Sequence, residues 1–340
     1  MTERPEVTLL LPVHNAERTL DAALHDVCAQ KGVSMEALVV LNGVEDRSQE
    51  IAHAWAERDP RITILTSPIK GIVPALNLGI DRAQAPLIAR FDADDRMAPE
   101  RLARQVEAMR AHPDWALSTT QVKSSGLDEG PAGPGMTRLV DRLNRLTTPE
   151  AIRAARFVDV PVVHPAVMFR RDIVRDLGGY KDGHFGEDHE LWLRMLERGH
   201  TFGMVEEVLV TWRDHGERMT RTDPKLVSQR ALRGLVARYL LRGPLAQRSC
   251  RVWGAGKCGK GYIKALHEAG AQVDDIIDID PAKVGRTMAH GLEVVAADTL
   301  GPPDGRLILS AVAAPGASGL IAGRLQSLGY QVERDWLPLR

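Results

Sequence analysis

The stretch Val7-Thr-Leu-Leu-Leu-Pro12-Val13-His14-Asn15-Ala16-Glu17 decides how the first half of the chain folds. Val7–Leu11 is an apolar run of strand length that stops at Pro12, and polar groups follow at once. A helical pattern over Leu20–Gln30 comes next, then a second apolar run, Ala37–Leu41, closed by the turn-forming pair Asn42–Gly43. The alternation continues with a helix over Ser48–Arg58, a strand at Ile62–Leu65, a helix over Pro74–Ala83 and a strand at Leu87–Phe91. Strands separated by helix-length segments imply βα units and a largely parallel sheet, hence an α/β fold. Such sheets bind ligands beyond the carboxyl ends of their strands. Here those ends are Pro12–Glu17, Asn42–Asp46, Ser67–Gly71 and Asp92–Asp95, and each carries polar or charged groups.

The 340 residues suggest two domains, at roughly 150 residues per domain. With 44% hydrophobic and 26% charged residues the chain is an ordinary globular one, and a net charge of -1 argues against nucleic acid as a partner. No apolar run approaches the ~18 residues of a membrane span, and the charged N-terminus does not read as a signal peptide. Cys28, Cys250 and Cys258 are too scattered for a disulfide framework or a metal site, so a reducing compartment, the cytoplasm, is expected.

Ser124–Gly135 (SSGLDEGPAGPG) reads as a Gly/Pro-rich loop, after which the pattern resumes near Thr147 and runs to about Thr222. Arg218–Arg248 then holds eight basic residues and one acid, Asp223, so it carries +7 and the remainder -8. Within Lys225–Arg242, Leu232, Leu235, Val236 and Tyr239 share a helical face, with Arg230, Arg233, Arg238 and Arg242 elsewhere. Such a helix either packs on its own domain with solvated arginines or lies on an anionic membrane surface. Beyond Gly243–Pro244 a new unit begins: a strand at Arg251–Trp253, a turn Gly254-Ala-Gly256-Lys-Cys-Gly259, a helix Lys260–Ala269, and a strand Val273–Asp278 that ends in acid. The implied segments are 1–222, a basic helical linker at 223–248, and 249–340.

The chemistry concentrates in two acidic motifs. Asp92-Ala93-Asp94-Asp95 places three carboxylates within four residues, where they repel unless a cation is present. A hard divalent ion there would hold a diphosphate leaving group as Lewis acid and template. Alternatively Asp95 caps a helix beginning near Ala98-Pro99-Glu100. Gly186-Glu187-Asp188 precedes the helical pattern Leu191, Trp192, Met195, Leu196. There the carboxylates either cap the helix, with Glu190–Arg194 as an i,i+4 pair, or one of them is a general base with a raised pKa. His164-Pro165 and Arg213-Asp214-His215 are weaker signals near strand ends, and His215 suits either a phosphate or a metal.

Taken together, Pro12-Val13-His14-Asn15-Ala16-Glu17, Gly71 with Ala75-Leu-Asn77-Leu-Gly79, Asp92-Ala93-Asp94-Asp95, and Gly186-Glu187-Asp188 with Leu191-Trp192-Leu-Arg194 form an ordered set. Over roughly Val7–His215 this set resembles the inverting family 2 glycosyltransferases. The resemblance implies a GT-A fold, a nucleotide-diphosphate sugar donor, a divalent ion (Mn2+ or Mg2+), and direct displacement at the anomeric carbon with inversion. By position, Pro12, Val13, Asn15 and Glu17 would line the nucleotide pocket. Asn42 and Asp46 stand where the family has acids on the base and ribose, and Gly71, Ala75 and Asn77 would shape the donor side. Asp92 and Asp94, flanking Ala93, would be the DxD pair, with Asp94 the first metal ligand and His215 a further one. Asp188 would be the catalytic base, with Glu187 beside it and His164 both on donor or acceptor. Trp192 would be an acceptor wall or a buried core residue. One departure is visible: Leu41-Asn42 replaces the usual two aspartates. An Asn carbonyl accepts from a base N–H and Leu41 cannot, which leaves the nucleotide open.

The C-terminal part resembles small Rossmann-like domains appended to bacterial sugar-transfer enzymes. There Gly254, Gly256 and Gly259 would set a phosphate at a helix N-terminus, with Asp278 or Asp280 near a ribose. A regulatory, docking or ligand-sensing role is expected over a redox one. The whole implies transfer to a glycan or lipid-linked hydroxyl in bacterial envelope polysaccharide assembly, by a cytoplasmic protein or one peripheral to the inner membrane. A sugar-1-phosphate nucleotidyltransferase would need a Gly-rich loop after the first strand, and Pro12–Asn15 has no glycine. An NAD-dependent oxidoreductase would leave both acidic motifs without a role. Intact Asp92, Asp94 and Asp188 count against a non-catalytic sugar-nucleotide scaffold.

Overall fold

Strand β1 (Val7–Val13) is buried at every residue, as a strand covered on both faces must be. It runs through Pro12, which pairs with Val40 in the register of β2, so the proline does not end the strand. The reason lies in the ladder. Asn42 N–H donates to the Val13 carbonyl, so Val13 faces β2 and Pro12 faces the β4 side, past the last paired residue there, Leu10. A missing N–H is tolerated where no ladder bond is due.

The computed structural model describes residues 4–223 and 228–340. They divide into two compact units: 1–153, 161–183 and 187–218 in the first, with 154–160, 184–186 and 219–340 in the second. In the first unit β1 is followed by α1 (Leu20–Cys28), β2 (Met35–Leu41), α2 (Ser48–Ala56), β3 (Ile62–Thr66), α3 (Ile72–Arg82), β4 (Leu87–Arg90) and the short β5 (Arg96–Met97). Then come α4 (Arg101–Ala111), β6 (Trp115–Gly126), α5 (Pro134–Leu143), α6 (Pro149–Ala155), β7 (Met168–Arg170), α7 (Arg171–Asp176), α8 (Glu187–Glu197) and β8 (Thr201–Asp214). The eight strands form one sheet in the order β3-β2-β1-β4-β7-β6-β8-β5. The β3-β2-β1-β4 half is parallel throughout, and β7 enters antiparallel to both β4 and β6. Leu9, Leu11 and Val39 of the strands pack with Leu20, Leu24 and Val27 of α1 in the main core. The segment 124–135 is only partly a loop. β6 pairs with β8 as far as Gly126, and α5 starts at Pro134.

In the second unit the strands β9 (Cys250–Trp253), β10 (Val273–Asp278), β11 (Val294–Ala296), β12 (Leu307–Ser310) and β13 (Trp336–Pro338) form a parallel sheet, order β11-β10-β9-β12-β13. The direction of winding reverses at β9, the place where open α/β sheets bind ligands. Helix α9 (Gln229–Arg242) buries Leu235, Val236, Tyr239 and Leu240 and packs on α10 (Lys257–Ala269). The stretch 224–227, where the basic helix was expected to begin, lies outside the described residues. The helix's arginines are not simply solvated. Arg233 stacks over Tyr262, Arg238 over Phe185 and Arg242 over Tyr239 at 5.6, 5.3 and 5.6 Å, and Arg230 pairs with Glu268. Helix α11 (Ala317–Ser327) completes the unit. Among the described residues no helix is long and apolar enough to cross a membrane.

Candidate active site

The loops leaving β1 and β2 are laced together by the side chains expected to line a nucleotide pocket. Asn15, at φ 46, accepts from the Glu45 N–H at 2.8 Å, and Glu17 accepts from the Arg47 N–H at 3.2 Å. Asp46 accepts from the N–H groups of Glu17 and Ser48, fixing the start of α2. Asn42 is buried, donates to the Ile69 carbonyl at 2.8 Å and accepts from the Gly71 N–H at 2.7 Å. Its amide therefore shapes the turn before α3, where Gly71 has φ 133. Asn77 is occupied at both ends, donating to the Tyr180 carbonyl and accepting from the Tyr180 N–H. Pro12, Val13, Ala75 and Ala93 are buried and offer backbone and shape only.

Beyond β4, the ligand oxygens of Asp92, Asp94 and Asp95 lie within 4.8 Å of one another. Each carboxylate has a different partner. Asp92 is paired with the buried Arg90 at 2.6 Å, Asp94 with His215 Nε2 at 2.8 Å, and Asp95 accepts from the Arg213 N–H of β8 at 2.8 Å. The expectation that Asp95 caps the next helix fails, because α4 begins after Glu100 with no side-chain cap. Burial raises the Asp92 carboxyl above the ordinary range against the pull of Arg90. It raises Asp95 well above that range, helped by the charges of Asp94 and Asp92. For Asp94 burial is outweighed by the His215 hydrogen bond and the Arg218 charge, and the carboxyl is lowered.

The chemistry of this donor set fits a hard divalent ion. Asp95 Oδ2 and His215 Nδ1 are buried without a hydrogen-bond partner, so the cluster has unused lone pairs. The floor beneath is cationic. Arg101, fully buried on α4, donates to the Arg90 carbonyl at 2.8 Å and to Gln105, and burial pushes its guanidinium down to about 9.

Glu187 and Asp188 open α8, where the helix dipole favours acids. Asp188 Oδ1 accepts from the His189 N–H at 2.6 Å. Burial, then the charge of Asp188, pushes Glu187 up to about 8, and burial raises Asp188 as well. His164 bridges Tyr180 and this pair: Nε2 is 2.8 Å from the Tyr180 hydroxyl and Nδ1 3.9 Å from Glu187. Burial and Arg90 hold His164 well below its usual range, so it is neutral. Further along α8 the expected Glu190–Arg194 pair forms at 2.5 Å, and Arg194 also holds the Gly179 carbonyl. Trp192 is 0% exposed, packed among Phe169, Phe202, Tyr180 and His164. This burial favours the core expectation over the acceptor wall.

Sequence reasoning missed Arg90, Arg101 and Tyr180. A charged residue inside the otherwise apolar run Leu87–Phe91 was the available signal for Arg90.

Residues 8–178 match Glycosyl transferase family 2. The chain belongs to that family. The amylovoran biosynthesis glycosyltransferase AmsE of Erwinia amylovora is 30% identical over 208 residues, 60% of this chain and 74% of that one. Two solved structures share the fold. S. aureus TarS 1-349 in complex with UDP-GlcNAc has TM-score 0.56 at 12% identity, covering 78% of this chain and 71% of that one. The mannosyltransferase PcManGT from Pyrobaculum calidifontis, in complex with GDP-Man and Mn2+, has TM-score 0.52 at 20% identity, covering 79% and 70%. The first unit of this family 2 chain thus has a GT-A type α/β fold, with its acidic motifs beyond β4 and at the start of α8.

In the second unit the glycine turn is sterically enforced. Gly254 has φ 125, and a Cβ on Gly259 would lie 1.7 Å from the Gly254 carbonyl oxygen, so α10 approaches β9 only through glycine. A Cβ on Gly256 would meet open space. Asp278 accepts from the Ala255 N–H at 2.7 Å and the Asp280 N–H at 2.9 Å, and Lys283 lies 3.5 Å away. Its carboxylate is engaged in holding the turn.

Proposed function

We propose that this family 2 chain is a metal-dependent inverting transferase that moves a sugar from a nucleoside diphosphate to a hydroxyl of a glycan or lipid-linked acceptor. The observation that carries the reading is an acid cluster, half-buried at Asp92 and Asp94 and buried at Asp95, with unpartnered ligand atoms and sharing an electrostatic field with a desolvated carboxylate pair. Asp94, with His215, is the first choice to hold a Mn2+ or Mg2+ ion, with Asp92 and Asp95 beside it. A bound ion would supply Lewis-acid stabilisation of the departing diphosphate. Asp188 takes the proton of the acceptor hydroxyl as its oxygen attacks the anomeric carbon. The bond from that carbon to the diphosphate breaks on the opposite face, so the configuration inverts. Glu187 lies against donor or acceptor, with neutral His164 behind it.

Asn42, Asn77 and Asp46 support the pocket through backbone they fix, and Asn15, Glu17 and Gly71 shape its rim. AmsE is named for amylovoran biosynthesis, which supports a place in bacterial polysaccharide assembly. The arginines of α9 engage their own unit and lend no support to a membrane-facing role. The second unit is read as a Rossmann-like accessory domain, with Gly256 the place where an anion could meet backbone N–H groups.

A thermal-shift panel of UDP, GDP, dTDP, CDP and NAD+, each with Mn2+ or EDTA, tests this reading. A ligand at 100 times its dissociation constant stabilises by about 2.7 kcal/mol. One nucleoside diphosphate that shifts the transition only with Mn2+ is expected. A shift with NAD+ alone would contradict it.

A further inference from the structure

Two arginines lie under the acid cluster, and the fold alone does not account for them. Arg90 is 3% and Arg101 0% exposed. Among the described residues Arg101 has no carboxylate at ion-pair distance. Its guanidinium is held by Gln105 and by the carbonyls of Arg90 and Val167, with Phe91 stacked at 5.8 Å. Arg90 pairs with Asp92 at 2.6 Å, donates to the Phe91 carbonyl, and leaves Nε buried without a partner. The two cations repel each other, and apolar residues of equal volume usually stabilise a core at least as well as buried charges. What compensates Arg101 is the field of Asp95 and Asp92.

We propose that Arg90 and Arg101 are positioning residues that form a fixed cationic floor, offsetting Asp92 and Asp95 without an ion as His215 and Arg218 do for Asp94, and making divalent-cation binding depend on the diphosphate. This rests on the metal-dependent transferase reading. With the floor charged, the three carboxylates present little net negative charge to a bare cation. A diphosphate adds the missing negative charge, and the ion is then bound between the two.

The test is Mn2+ binding by the full chain, read from the free-ion electron paramagnetic resonance signal, with and without the nucleoside diphosphate that binds best. Wild type is expected to bind Mn2+ weakly alone and much more tightly with the nucleotide. Arg101→Met and Arg90→Met, shown folded by circular dichroism, should bind bare Mn2+ about tenfold tighter or more, while their affinity for the Mn2+–nucleotide pair falls. Arg101→Lys, which keeps the charge, should stay near wild type. A merely structural role would not raise bare-ion affinity. Folded Met variants with unchanged bare Mn2+ affinity would overturn the proposal. So would a wild type that binds the ion equally well without nucleotide, even if no variant folds. A wild type that binds no nucleoside diphosphate, with or without Mn2+, would instead sink the transferase reading.

Discussion

Replacing Glu187 with Gln keeps the shape of the side chain and removes its charge, which makes the desolvation of the acid pair measurable as stability. Glu187 is 13% exposed and titrates near 8 in the folded protein against 4.5 ordinarily, through burial and then the charge of Asp188. A raised carboxyl pKa means that the folded chain holds the proton more tightly than the unfolded chain. Below about pH 4.5 both states are protonated and nothing is lost. Between 4.5 and 8 the unfolded chain ionises freely while the folded one resists, so stability falls as pH rises, and the full cost is present above 8. At about 1.4 kcal/mol per pH unit, ionising this carboxyl costs the folded state on the order of 4–5 kcal/mol. Urea unfolding at pH 6 and pH 9 should show wild type losing about 3 kcal/mol more than Glu187→Gln across that interval, the part of the cost that falls between pH 6 and 8. The variant should be the more stable protein at pH 9 and the poorer catalyst. Parallel losses in the two proteins would refute the claim that Glu187 is desolvated.

Asp188→Asn should lower transfer by about 10²–10⁴-fold while nucleotide binding with Mn2+ stays near wild type, measured by product formation and calorimetry. Asp94→Ala should instead weaken the Mn2+–nucleotide complex itself, visible as loss of the Mn2+-dependent thermal shift. Trp192→Ala should destabilise the protein by about 3–5 kcal/mol in urea. An acceptor-wall residue would raise the acceptor KM with little change in stability.

Much of the first unit was legible because β1, β2 and β4 are buried almost throughout, which makes each a largely apolar run that helices punctuate. Pro12 hid the last two residues of β1, since its tolerance depends on where β4 ends. The strand character of Ser124–Gly126 comes from pairing with β8, some ninety residues away in sequence, and has no local sign. The two acidic motifs were legible as motifs because carboxylates gathered beyond strand ends need a purpose. The roles of Asn42 and Asn77 were not, because their partners, Gly71 and Tyr180, are tertiary. Trp192 shows the same limit: its spacing on α8 suits a wall or a core, and only the aromatic neighbours from other elements decide.

The most direct test is the stereochemistry of the reaction. Proton NMR of fresh enzyme with the α-linked nucleotide sugar that binds best and Mn2+ should show, during slow donor hydrolysis, the β anomer appearing first. EDTA or Asp188→Asn should abolish it. Initial release of the α anomer, or equal release in EDTA, would contradict a metal-dependent inverting transferase with Asp188 as its base.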